Sequence, residues 1–146
     1  MFRGNTEAKI DDKGRLKFPK IFSDAMPREL GNKFFVTSHS GECALVYPIE
    51  KWLEVEEKLA AAPSMNRSVR KFRRNVNFFG QEAELDAAGR ILIPALLRER
   101  AEVSGEVFVI GHNDHLEVWN RARFDAAMAA DALDESDFQA LEPYRL

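Results

Sequence analysis

The amino-acid sequence predicts a β-rich α+β protein in which two tandem copies of one small β unit pack as an intramolecular pseudo-dimer with flanking helices. Three observations carry that prediction. Residues 7–22, EAKIDDKGRLKFPKIF, align without a gap on residues 82–97, EAELDAAGRILIPALL, with six identities in sixteen positions. Five further positions exchange one apolar residue for another, as in Leu16/Ile91 and Phe18/Ile93. Each copy has fewer than fifty residues (5–52 and 81–124), too few to bury a secure core alone, so the two are expected to share one.

The elements of each copy follow in the same order. A short alternating strand, with Ala8 and Ile10 on one face, runs into a turn of Asp, small residues and Gly. The next strand places Leu16 and Phe18 inward and Arg15 and Lys17 outward. Pro19 or Pro94 ends it and opens a short helix as its first residue. An apolar strand follows (KFFVTS, EVFVIG), then a polar turn (HSGE, HNDH), a further strand and a helix. Here Phe35 aligns with Phe108, Tyr47 with Trp119 and Trp52 with Phe124, and Tyr47, Trp52, Trp119 and Phe124 are expected in the core.

Two helices are expected between the copies, in a connecting segment over 53–80. The first begins within copy one and spaces Ile49, Trp52, Leu53 and Leu59 helically. For the second, Ser64 is the expected N-cap and Met65, Val69, Phe72, Val76 and Phe79 form an apolar stripe. Arg67, Arg70, Lys71 and Arg74 lie off that stripe, as a solvated basic face or a second binding surface. Residues 125–146 read as a helical, acidic tail, either solubilising or docked on a basic surface of the same or a neighbouring subunit.

Composition narrows the function. With 45% apolar and 31% charged residues the chain is a folded domain, and its net charge of −3 hides separate basic and acidic zones. The single cysteine, Cys43, forms no intrachain disulfide and suits a reducing, cytoplasmic setting. No leader or membrane span is expected. His112 and His115 in HNDH read as a polar turn, since His39 and Cys43 lack metal-ligand spacing; no metal or other cofactor is expected. No phosphate-binding glycine loop, nucleophile elbow or zinc-protease motif is present, so neither an enzyme nor a small-molecule substrate is predicted.

The segments MFRG, DDKGRLKFP, DAAGRILIP and VFVIGHNDHLEVWN together resemble the MraZ family, bacterial proteins built from two SpoVT-AbrB domains. The likeness covers roughly residues 1–124. It implies AbrB-like swapped-hairpin β units, fused in one chain to complete one DNA-binding unit. It further implies transcriptional control of the bacterial division and cell-wall gene cluster, through promoter repeats bound by a ring of identical subunits at the nucleoid. The family's D-x-x-x-R elements fall on Asp11 with Arg15 and on Asp86 with Arg90. Lys13 holds the basic position of the first loop, whereas Ala88 stands there in the second. Ser23 stands where the family commonly has Arg; the second copy keeps Arg98.

The residues support double-stranded DNA as the partner on chemical grounds too. Arginine presents a planar fork of donors that suits phosphate or the O6/N7 edge of guanine. Arg15 and Arg90 are the expected DNA contacts, with Lys13, Lys17 and Arg3 adding phosphate contacts. Asp11 and Asp86 are expected to orient the two arginines through charge-assisted bonds. Taken alone, an Asp–Arg pair across a tight turn is more often a surface salt bridge, worth about 0–1 kcal/mol. A second reading makes the repeat an assembly or antitoxin-like module without sequence-specific DNA binding. Of the two loops, the first is expected to be the stronger DNA contact.

Overall fold

The computed structural model describes residues 1–146. Copy one supplies β1 (Asn5–Ile10), β2 (Arg15–Lys17), β3 (Lys33–Thr37) and β4 (Ala44–Pro48). Copy two supplies β5 (Gln81–Glu84), β6 (Arg90–Leu92), β7 (Gly105–Gly111) and β8 (Leu116–Trp119). All eight strands join one antiparallel sheet in the order β5-β3-β4-β8-β7-β1-β2-β6. The two end strands belong to one hairpin, in which the Asp86 N–H donates to the Arg90 carbonyl at 2.9 Å, so the sheet nearly closes.

The copies interleave rather than sit side by side. The first strand of each pairs with the third strand of the other, β1 with β7 and β5 with β3. The other cross-copy pairs are β2 with β6 and β4 with β8. Exchanging the copies maps this order onto itself around the closure. A pseudo-twofold axis therefore passes between β2 and β6 at one end and between β4 and β8 at the other. Repeat mates face each other on it: Leu16 opposite Ile91, and Leu45 opposite Glu117.

Strand alternation sends one face of every strand into a single core drawn from both copies. Leu16, Phe34, Val36 and Val46 meet Ile91, Ile93, Val109 and Val118 there, all fully buried. A smaller apolar cluster covers the outside of the sheet around β4 and β8. In it Leu45, Tyr47 and Trp119 meet Trp52 of α2 (Ile49–Ala61) and Val76 of α3 (Arg67–Phe78), with Phe124 of α5 (Arg121–Ala130) half-buried against them. These helices thus occupy the β4–β8 end of the pseudo-axis, opposite β2 and β6.

Three local expectations are corrected. Asn66, not Ser64, caps α3: its Oδ1 accepts the Val69 N–H at 3.1 Å. Met65 therefore precedes the helix and is 84% exposed, so the apolar stripe begins at Val69. The helical spacing of Ile49, Trp52, Leu53 and Leu59 is realised in α2, which turns Trp52 onto the Phe35 ring, 4.6 Å away, and Leu53 about 100° around toward solvent. Pro19 and Pro94 stand one residue earlier than expected, at the N-caps of α1 (Lys20–Ser23) and α4 (Ala95–Ala101), with extended ψ of 136° and 142°.

Candidate nucleic-acid interface

The first loop is organised by Asp11. Its Oδ1 accepts the backbone N–H of Lys13 at 3.0 Å and of Arg15 at 2.9 Å, while Oδ2 accepts Arg15 Nε at 2.9 Å. Gly14 closes the turn at φ +86°, a conformation cheap only for glycine. The backbone N–H of Arg15, more than its guanidinium, holds the Asp11 carboxyl below the usual carboxylate range. A three-residue strand follows, so Arg15 and Lys17 point outward while Leu16 is fully buried.

The second loop repeats this geometry almost atom for atom. Asp86 Oδ1 accepts the N–H groups of Ala88 and Arg90 at 2.9 Å each, and Oδ2 accepts Arg90 Nε at 3.0 Å. Its carboxyl is lowered as well, again chiefly by a backbone N–H, that of Arg90. Two cross-copy bonds lock the loops together: Phe18 N–H to the Gly89 carbonyl and Ile93 N–H to the Gly14 carbonyl, both 2.9 Å. Arg15 and Arg90 thereby share one outer surface.

The pair is nevertheless unsymmetrical. Arg90 Nη1 also lies 3.7 Å from Asp11 Oδ2, so Arg90 sits between two carboxylates. Arg15 has only Asp11, through Nε, which leaves both of its Nη groups without a protein partner. The strand register pairs Lys17 with Arg90 and Arg15 with Leu92. Lys17 thus belongs to the first copy in sequence and to the second arginine in space.

Arg98 makes the converse crossing, which the strand-and-turn pattern does not reveal. From α4 of copy two its guanidinium occupies the space that a Cβ on Gly14 would need. Its Nε is buried there without a hydrogen-bond partner. No atom outside the loop approaches the corresponding position on Gly89 within 4 Å. The first loop therefore has Lys13, Arg15 and Arg98 around it, and the second has Arg90 and Lys17.

Other sequence-predicted residues lie apart. Arg3 is exposed at the far end of β1, beside the β7–β8 turn, where Phe2 bridges Asn113. The six residues of β1 separate it from the first loop, about 20 Å of strand. In that turn the buried His115 stacks on Tyr47 and His112, with ring centroids 4.4 and 4.7 Å away. Burial lowers the His115 pKa and raises that of Tyr47 to about 12. Cys43 is buried and its thiol is pushed up by the same cause. No three His, Cys, Asp or Glu side chains converge as a metal site, and no helix is long and apolar enough to cross a membrane.

Comparison with known proteins places this chain in a family. The family model described as "MraZ protein, putative antitoxin-like" matches residues 1–75 and 80–142. The transcriptional regulator MraZ of Acidobacterium capsulatum is 44% identical over 146 residues, all of both chains. That of Koribacter versatilis is 48% identical over 121 residues, 82% of each chain. The Moorella thermoacetica protein of the same name is 42% identical over 125 residues, covering 86% of this chain and 85% of its own.

Proposed function

This chain belongs to the MraZ family, and we propose that it is a DNA-binding transcriptional regulator acting as an oligomer. The observation that carries the reading is the paired loop surface, where two Asp-positioned arginines lie side by side across the pseudo-axis. Arg15 presents its free Nη groups to a base edge or a phosphate, and Lys13, Lys17 and Arg98 surround the site with positive charge. Asp11 and Asp86 limit the rotamer freedom that the arginines lose on binding. The names of the relatives support transcriptional regulation. The sequence resemblance supports promoter repeats of the division and cell-wall gene cluster as the target, a ring of identical subunits as the form, and the nucleoid as the place. Several weak contacts on one ring gain affinity through effective concentration, which offsets the slightly negative net charge of each chain.

The antitoxin-like wording of the family description favours a second reading, an assembly module without sequence-specific DNA binding. Titration of a promoter fragment and a scrambled fragment at several salt concentrations separates the two. Regulation predicts affinity that falls with salt while the preference for the promoter repeat persists. Absence of DNA affinity at low salt supports the module instead.

A further inference from the structure

Two exposed segments of opposite charge find no partner within the chain. On α3, Arg67, Arg70, Lys71 and Arg74 recur at i, i+3, i+4 and i+7, directly opposite Phe72 and Val76. All four are exposed and none joins an ion pair. Arg73 is turned inward instead, donating Nη2 to the Leu59 carbonyl at 3.0 Å and fixing α3 to α2. No acidic residue lies in α3 to neutralise this stripe.

The other segment is the tail, 131–146, with Asp131, Asp134, Glu135, Asp137 and Glu142 against Arg145. It holds α6 (Glu135–Leu141), fastened at its start by a reciprocal Asp134–Asp137 capping box. α6 follows α5 as α3 follows α2, yet α3 buries Val76 while α6 buries nothing. Its side-chain hydrogen bonds stay within the tail. Leu133, Phe138, Tyr144 and Leu146 are 55–81% exposed, apolar surface that an isolated chain leaves in water. Glu135, Phe138 and Glu142 recur at i, i+3 and i+7, an acid–aromatic–acid stripe.

We infer that the basic stripe of α3 is the docking site for the acidic tail of a second copy of this chain. The charges are complementary, and Phe138 in the middle of the acidic stripe suits stacking on an arginine. The two patches differ, so the contact is head-to-tail, the type that closes rings or runs on as filaments. DNA is the less favoured occupant of α3, because α3 lies at the β4–β8 end of the pseudo-axis and the arginine loops at the other. The acidic face of α2 competes less well for the same stripe, since Lys51 already pairs with Glu54 and Lys58 dilutes its charge. The inference deepens the assembly half of the proposed function and rests on it, not on the DNA half.

The test uses the full chain in sedimentation velocity, with circular dichroism to verify folding. Four variants are compared with the wild type, with short-duplex binding measured alongside: R67E/R70E/R74E, E135K/E142K, all five of those changes in one chain, and E50K/E57K in α2. Expected are an oligomeric wild type, at least tenfold weaker self-association for each partial reversal, and recovery when both are combined. A wild type that stays monomeric at every concentration overturns the assembly reading and this inference with it. Partial reversals that are folded and still assemble like the wild type overturn the inference alone. So does assembly lost only on reversing Glu50 and Glu57 of α2. Unchanged assembly with lost affinity for a short duplex by R67E/R70E/R74E assigns α3 to DNA and overturns the inference as well.

Discussion

The two loops share a backbone and differ in what surrounds them. Each folds about an Asp that accepts two backbone N–H groups and an arginine Nε, with distances agreeing within 0.1 Å. Around that common frame, Arg15 is held by one carboxylate and Arg90 lies between two. Gly14 carries the Arg98 guanidinium against it, whereas Gly89 is open. The turn is thus the same in both copies, and its surroundings make them unequal. The division does not follow the sequence: Lys17 of copy one stands by Arg90, and Arg98 of copy two stands by the first loop.

The most severe way to challenge this comparison is to remove each arginine in turn. Arg15→Ala is expected to weaken promoter binding by about 1–3 kcal/mol per site, multiplied by assembly, with fold and oligomeric state unchanged. Arg90→Ala is expected to cost less, because two carboxylates already engage its guanidinium. Anisotropy titrations of both variants decide it; equal losses, or a larger one for Arg90, break the inequality.

Next in size is the loss of the shared carboxylate. Asp11→Asn takes away the only carboxylate on Arg15 and one of the two on Arg90, whereas Asp86→Asn leaves each arginine with Asp11, so the first is expected to reduce affinity roughly three- to tenfold more. Arg98→Ala follows, with binding several-fold weaker and a salt slope shallower by about one. Ser23→Arg sharpens the comparison from the other side, since a matching cation beside the open Gly89 is expected to strengthen binding a few-fold.

The smallest effect is that of acid. Both loop carboxyls have folded-state pKa values below the ordinary 3.8, so their contribution to stability is fully present above about pH 3.8. It is lost as pH falls further, through the lowered folded values. Acid titration followed by circular dichroism is expected to show Asp11→Asn and Asp86→Asn variants losing less stability than wild type as pH falls below 3.8. Equal losses remove the electrostatic part of the account.

Much of the molecule is legible in its sequence. The ungapped repeat covers β1, β2, β5 and β6, its continuation across small deletions predicts the other four strands, and the outward placement of Arg15, Lys17 and Arg90 follows from alternation about Leu16 and Ile91. Alternation does not reveal partners: β1 satisfies its burial pattern against any strand offering an apolar face, so the interleaving was legible only through the family resemblance. The Arg98–Gly14 contact was hidden for the same reason, because it crosses between copies. At the start of α3, Ser64 and Asn66 are both good N-caps, and only the observed Val69 bond distinguishes them.

Hydrogen exchange of the assembled protein, with and without a promoter duplex, locates the surface that DNA covers. DNA-dependent protection is expected at residues 11–17 and 86–92 and around Arg98 of α4, deepest in the first loop, with α3 unchanged. Protection of α3 with both loops unaffected would contradict that expectation.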